Sequence, residues 1–167
     1  MITRLELKNF STFSNLDVDF SSKINVIIGE NGTGKTQLLK AAYGLCSSGA
    51  ISHGSSDTTK KGIEVLFTEK MIRLFMPLEE KLGKIHHQGA TESAQFGAHF
   101  NIGNEVVATF HNNSKHLSIK DLVSFKQYQS EPIFIPTKEV LSLVRGISSD
   151  TTDKQTIKTL FDDTYLD

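Results

Sequence analysis

Gly29-Glu30-Asn31-Gly32-Thr33-Gly34-Lys35-Thr36 fits the spacing G-x-x-x-x-G-K-[ST]. Residues of these types in this order can hold a chain of phosphates. Glycines let the backbone curl until several N–H groups converge on one anion, and a lysine at this position neutralises the outer phosphates. The hydroxyl of Thr36 is placed to coordinate Mg²⁺. The pattern therefore predicts binding of a nucleoside triphosphate, with all eight residues as the phosphate site and Thr36 as the Mg²⁺ ligand.

Such a loop works only when a strand delivers it and a helix leaves it. Ile24-Asn25-Val26-Ile27-Ile28 is almost wholly apolar and reads as the buried central strand of an α/β sheet. Gln37 to Cys46 follows with Leu38, Leu39, Ala41, Ala42 and Leu45 at helical spacing. Upstream, Ile2 to Phe10 alternates, and Leu16 to Phe20 alternates more cleanly, so two neighbouring strands are expected about a turn at Ser11-Thr12.

Composition narrows the class. A chain of 167 residues with 38% apolar and 22% charged residues describes one ordinary folded domain. A formal net charge of −1 supplies no general attraction to nucleic acid. The single cysteine, Cys46, excludes an internal disulfide framework and falls on the apolar face of the helix after the loop. No apolar run approaches the roughly 20 residues that cross a bilayer, and the start lacks a signal peptide's apolar core. A cytoplasmic protein without a membrane partner is expected.

Beyond the loop, 47–62 is rich in Ser, Gly and Thr and reads as an exposed connection. Ile63 to Met76 carries a helical apolar stripe that Pro77 should end, with a shorter helical turn near Leu78 to Leu82. Phe96 to Ile102 and Glu105 to Phe110 alternate about Gly103-Asn104 as a hairpin, and Leu117 to Ile119 adds a short strand. Pro132 to Pro136 reads as a short buried strand. Thr137 caps a helix from Lys138 to about Val144, and Asp150 or Thr151 caps a last one.

Several chemical signatures are missing. Neither D-x-x-G nor N-K-x-D occurs, so a guanine-reading switch protein is disfavoured. A hydrolase of this kind usually carries four apolar residues running into an acid. The nearest stretches, Leu160-Phe161-Asp162 and Val65-Leu66-Phe67-Thr68-Glu69, are too short or interrupted. No L-S-G-G-like signature is present. A self-sufficient small kinase is disfavoured, because lid arginines and a second acidic motif are missing.

The opening from Ile2 through Asn9-Phe10, then Leu16 to Phe20, then Ile24 to Thr36, resembles the start of RecF/SMC/Rad50-like, ABC-type AAA ATPases, including OLD-type and anti-phage members. Ile133 to Ser142 and Phe161 to Tyr165 resemble RecF-like AAA proteins of bacteria. The likeness implies an α/β P-loop NTPase fold: an ABC/SMC-like N-terminal lobe with a mixed sheet, an inserted helix and antiparallel strands. It implies that residues near Asn9-Phe10 and Phe13 lie by the nucleotide base, strand-end packing being the alternative. The family's Q-loop falls near Pro136 to Glu139, where no glutamine stands; Lys138 or Glu139 could substitute, or simply charge a first helical turn. Relatives place the signature motif, the acid and a switch histidine in a C-terminal half, so the chain reads as the N-terminal portion of one ATPase domain. That portion divides into 1–46 (strands, loop, first helix), 47–62 (flexible connection), 63–130 (inserted helix and small β-meander) and 131–167 (core strand and helices).

Weaker constellations have ordinary explanations beside the functional ones. The histidines His53, His86, His87, His99, His111 and His116 lack companion ligands at metal spacing, so no metal beyond Mg²⁺ is expected. Lys60, Lys61, Lys70 and Arg73 could form a basic face, but Glu64, Glu69, Glu79 and Glu80 interleave and favour a solvated helix. Phe96, Phe100 and Phe110 could stack on bases, though packing is the simpler role. The expected function is Mg·ATP binding, with hydrolysis completed by a C-terminal half or by a head-to-tail homodimer. The alternative is a non-hydrolysing nucleotide-sensing subunit of a DNA-repair or anti-phage complex, with a nuclease partner or DNA.

Overall fold

Alternating apolar and charged residues give β1 (Ile2–Phe10) one dry face and one wet face. Leu5, Leu7 and Phe10 are at most 1% exposed, whereas Arg4 and Lys8 meet solvent. The computed structural model describes residues 1–47, 51–52, 56–127 and 132–135. They fall in two units, Met1–Pro132 and Ile133–Asp167.

In the first unit β1 pairs antiparallel with β2 (Phe13–Asp19) on one side and β3 (Ala94–Phe100) on the other. β4 (Glu105–Phe110) and the short β5 (Ser118–Ile119) continue the sheet, in the order β2-β1-β3-β4-β5. The register sets Leu16, Leu7, Phe96, Ala108 and Ile119 in one row across the strands. That row is the floor of the core.

Two helices cover it. α1 (Lys35–Cys46) buries Leu38, Ala41 and Leu45, and α2 (Lys60–Phe75) buries Ile63, Phe67, Met71 and Leu74 at spacings of about a turn. Thr59 caps α2 by accepting from the Gly62 N–H at 3.1 Å. α2 ends at Met76, just before Pro77, with φ 44°. Where α1 meets α2, a Cβ on Gly44 would lie 2.8 Å from Met71 Sδ, so any larger residue would force the Met71 side chain to shift. α3 (Leu122–Gln127) sets Phe125 against Phe67, ring centres 5.0 Å apart.

Phe10 is the centre of an aromatic cluster. Its ring lies 4.9 Å from Phe96, 5.2 Å from Phe75 and 6.2 Å from Phe110. Strand, helix and hairpin therefore meet on one side chain.

The opposite sheet face is charged and wet. Arg4 donates two hydrogen bonds to Asp17, at 2.7 and 2.5 Å, and these hold the Asp17 carboxyl below its ordinary range. Lys8 donates one hydrogen bond to Glu92 and Lys120 one to Glu105, and each holds its partner's carboxyl below the ordinary range. These exposed pairs are screened by solvent and contribute little to stability.

Several expectations need correction. Ile24–Ile28 is not a strand: Ile24, Val26 and Ile28 are 85%, 78% and 87% exposed, and no described strand lies beside them. A strand needs a ladder partner, and apolar content alone cannot supply one. Ile133 to Ile135 is likewise irregular, with both isoleucines exposed. α2 begins at Lys60, inside the expected connection. The hairpin of β3 and β4 is hydrogen-bonded to β1, so it belongs to the same sheet as the N-terminal strands. Phe96, Phe100 and Phe110 need no correction, since they are buried and take the packing role expected of them. Lys70, expected on a solvated helix face, is buried, its Nζ 3.3 Å from Tyr43 Oη and 4.7 Å from the ring centre, which also removes it from the alternative basic face. The helices expected after Thr137 and the stretch Leu160-Phe161-Asp162 lie outside the described residues.

Phe10→Ala should cost about 3–5 kcal/mol of stability, read by urea denaturation. A loss below about 1 kcal/mol would remove Phe10 from the centre of the core.

Candidate functional site

Gly34 joins the glycine loop to α1. It is the N-cap residue, left-handed at φ 91° and ψ 10°, and carries no side chain to cap the helix. The first turn of α1 holds no acidic residue. The leading N–H groups of α1 are therefore not neutralised from within the helix, and they sit at its positive end. Gly32 is left-handed too, at φ 84°. Two such residues in three let the backbone fold into a concave nest of N–H donors.

The remaining loop residues shape that nest. Lys35 arches back so that its Nζ donates to the carbonyls of Gly29 at 2.8 Å and Glu30 at 2.6 Å. Thr33 Oγ1 donates to the Glu30 carbonyl at 2.9 Å. The ammonium is thereby held over the loop, where an anion on the amides would meet it.

A cavity of about 300 Å³ opens at this point. Asn31, Gly32, Gly34, Lys35 and Thr36 of the loop line it. Gly29, Glu30 and Thr33 do not line it; they brace the loop from behind. The chemistry on offer is anion binding by amides, one cation and hydroxyls. Among the described residues no carboxylate lines the cavity.

Two lining residues escaped sequence reasoning. Gln37 follows the motif, and its Oε1 is buried with no hydrogen-bond partner among the described residues. An acceptor buried in this way costs free energy unless something donates to it. Thr12 comes from the β1–β2 turn, far away in sequence. A Cβ on Gly34 would lie 2.5 Å from Thr12 Oγ1 and 2.8 Å from the edge of the Phe13 ring. The turn thus closes one side of the loop. A hydroxyl residue in a turn beside a strand end was the only signal, and it is weak.

The residues placed near the base by resemblance separate here. Phe10 is buried in the core, and Asn9 reaches the Ser93 carbonyl at 3.4 Å. Phe13 is half-buried and packs toward Gly34. The acid-bearing stretch Val65–Glu69 lies within α2, with Glu69 beside Arg73 at 4.0 Å. Among the described residues no three His, Cys, Asp or Glu side chains gather as metal ligands, and no helix is long and apolar enough to cross a membrane.

Comparison with known proteins agrees with this geometry. The AAA domain family matches residues 4–163. The DNA replication and repair protein RecF of Bacillus mycoides is 46% identical over 56 residues, which is 34% of this chain and 14% of that protein. RecF of Bacillus cytotoxicus is 45% identical over the same shares. The chain thus matches only about a seventh of the length of these curated relatives. A solved structure from work on ATP-driven dimerization and DNA-stimulated activation of SMC ATPases superposes with a TM-score of 0.51. It is 15% identical, over 95% of this chain and 96% of that one, a likeness of fold. With a glycine loop at the head of α1 and a family match along nearly its whole length, the chain belongs to the AAA domain family.

Proposed function

We propose that this chain binds Mg·ATP in the 29–36 loop and hydrolyses it only when another polypeptide segment completes the site. The observation that carries the binding half is the α1 N-terminus. Uncapped amides, two left-handed glycines and the Lys35 ammonium converge there, with no competing carboxylate among the described residues. In this reading the loop amides from Asn31 to Thr36 hold phosphate oxygens, with Gly29 and Glu30 shaping the turn, and Lys35 trades its carbonyl partners for the outer phosphates.

Thr36 fits a Mg²⁺ ligand, since its hydroxyl is exposed in the first turn of α1 and lines the cavity. A single protein hydroxyl suits an ion that keeps several waters and takes phosphate oxygens. When bound, Mg²⁺ neutralises phosphate charge. The protein's own contribution is to orient the triphosphate and to present Gln37 Oε1 as an acceptor at the cavity.

Two observations support an incomplete hydrolytic site. Among the described residues no acid able to orient water lines the cavity. The apolar segment that leads into the loop is exposed at Ile24, Val26 and Ile28, as expected of a sheet strand whose neighbours come from elsewhere. In this reading 1–167 is the N-terminal portion of one ATPase domain. A head-to-tail homodimer formed with ATP is the partner we favour, with DNA or a nuclease as a further one. The SMC ATPases described above, with their ATP-driven dimerization and DNA-stimulated activation, support that choice. The second reading, a nucleotide-sensing subunit without hydrolysis, draws on the same lack of an acid.

Lys35→Ala should raise the Kd for Mg·ATP at least about tenfold, equal to about 1.4 kcal/mol, measured by titration calorimetry. Unchanged affinity would contradict the loop reading. Gly34→Ala forces a left-handed alanine against Thr12 and should lower both the melting temperature and ATP affinity. Wild-type behaviour would show that this contact does not shape the loop. Steady ATP turnover by the isolated wild-type chain, lost in Lys35→Ala, would contradict the incomplete site.

A further inference from the structure

The β1–β2 turn that closes the loop is held in an unfavourable backbone conformation. Asn9 and Ser11 both have positive φ, 50° and 52°, and neither is glycine. Left-handed non-glycine residues persist only where their surroundings enforce them. Here the enforcement comes from one segment, Ile85 to His87. Ser11 N–H donates to the Ile85 carbonyl at 2.6 Å, and His87 N–H donates to the Asn9 carbonyl at 2.9 Å. The His87 imidazole adds a third bond, its Nδ1 lying 2.9 Å from the Ser11 carbonyl oxygen. A carbonyl only accepts, so this Nδ1 carries the proton.

The clamp is itself anchored. Leu82 and Ile85 are 2% and 4% exposed, so the segment that grips the turn is rooted in the core. The next residue after Ser11 is Thr12, which lines the phosphate cavity beside Gly34. Core, clamp, turn and loop form one mechanical chain.

We propose that His87 is a positioning residue for nucleotide binding, acting through the Ser11 carbonyl to set Thr12 against the glycine loop. It touches no nucleotide itself. This inference rests on the loop being the ATP site. The two backbone bonds keep the turn folded when the imidazole is removed, so the side chain tunes Thr12 and leaves the fold intact.

The test is Mg·ATP binding by the full chain, with melting temperature measured alongside. His87→Ala and His87→Leu should weaken binding by about 3–10-fold, as one hydrogen bond's worth predicts, at nearly unchanged melting temperature. His87→Gln, whose amide can donate, should restore much of the affinity. Thr12→Val should weaken binding, and adding His87→Ala to it should weaken it no further. Wild-type affinity in both donor-less variants, or an undiminished effect of His87→Ala in the Thr12→Val background, overturns the inference. If Lys35→Ala binds as well as wild type, the loop reading fails and takes this inference with it. If Lys35→Ala alone loses binding, only the role of His87 fails.

Discussion

The site depends on the close approach between Gly34 and the β1–β2 turn. A side chain on Gly34 would collide with Thr12 and Phe13, and its left-handed backbone would be strained besides. The loop can therefore nest its amides only while position 34 has no Cβ and the turn stays where it is. The turn stays because Phe10, one residue before Ser11, is pinned among Phe75, Phe96 and Phe110. The aromatic core thus sets the geometry of a cavity it never touches.

That dependence explains what the amino-acid sequence did and did not reveal. The loop was legible because its constraints are local: two glycines, a lysine and a hydroxyl within eight positions. α1, α2 and the β3–β4 hairpin were legible for the same reason, through period and turn chemistry. The docking of β3 on β1 was not, because it joins residues about ninety apart with no local mark. Thr12 reaches the loop only through that folded hairpin, and the Ser11 carbonyl meets His87 across 76 positions. The segment from Ile24 to Ile28 shows the reverse error. Its composition asks for a sheet, but a strand is defined by its neighbours, and none of the described strands serves.

Binding and hydrolysis separate on electrostatic grounds. Holding a triphosphate requires positive potential, and the α1 terminus, the amide nest and Lys35 supply it at one point. Firing a water molecule requires an acid or amide aimed at the outer phosphate, which is a different demand. Among the described residues the cavity's lining supplies that positive potential and includes no carboxylate for the second demand.

Backbone amide exchange across the loop tests the central claim most directly. Adding Mg·ATP to the wild-type chain should slow exchange at Gly32, Gly34, Lys35 and Thr36 and leave the β4–β5 edge unchanged. Protection confined to other segments, with these four amides exchanging as before, would contradict the account.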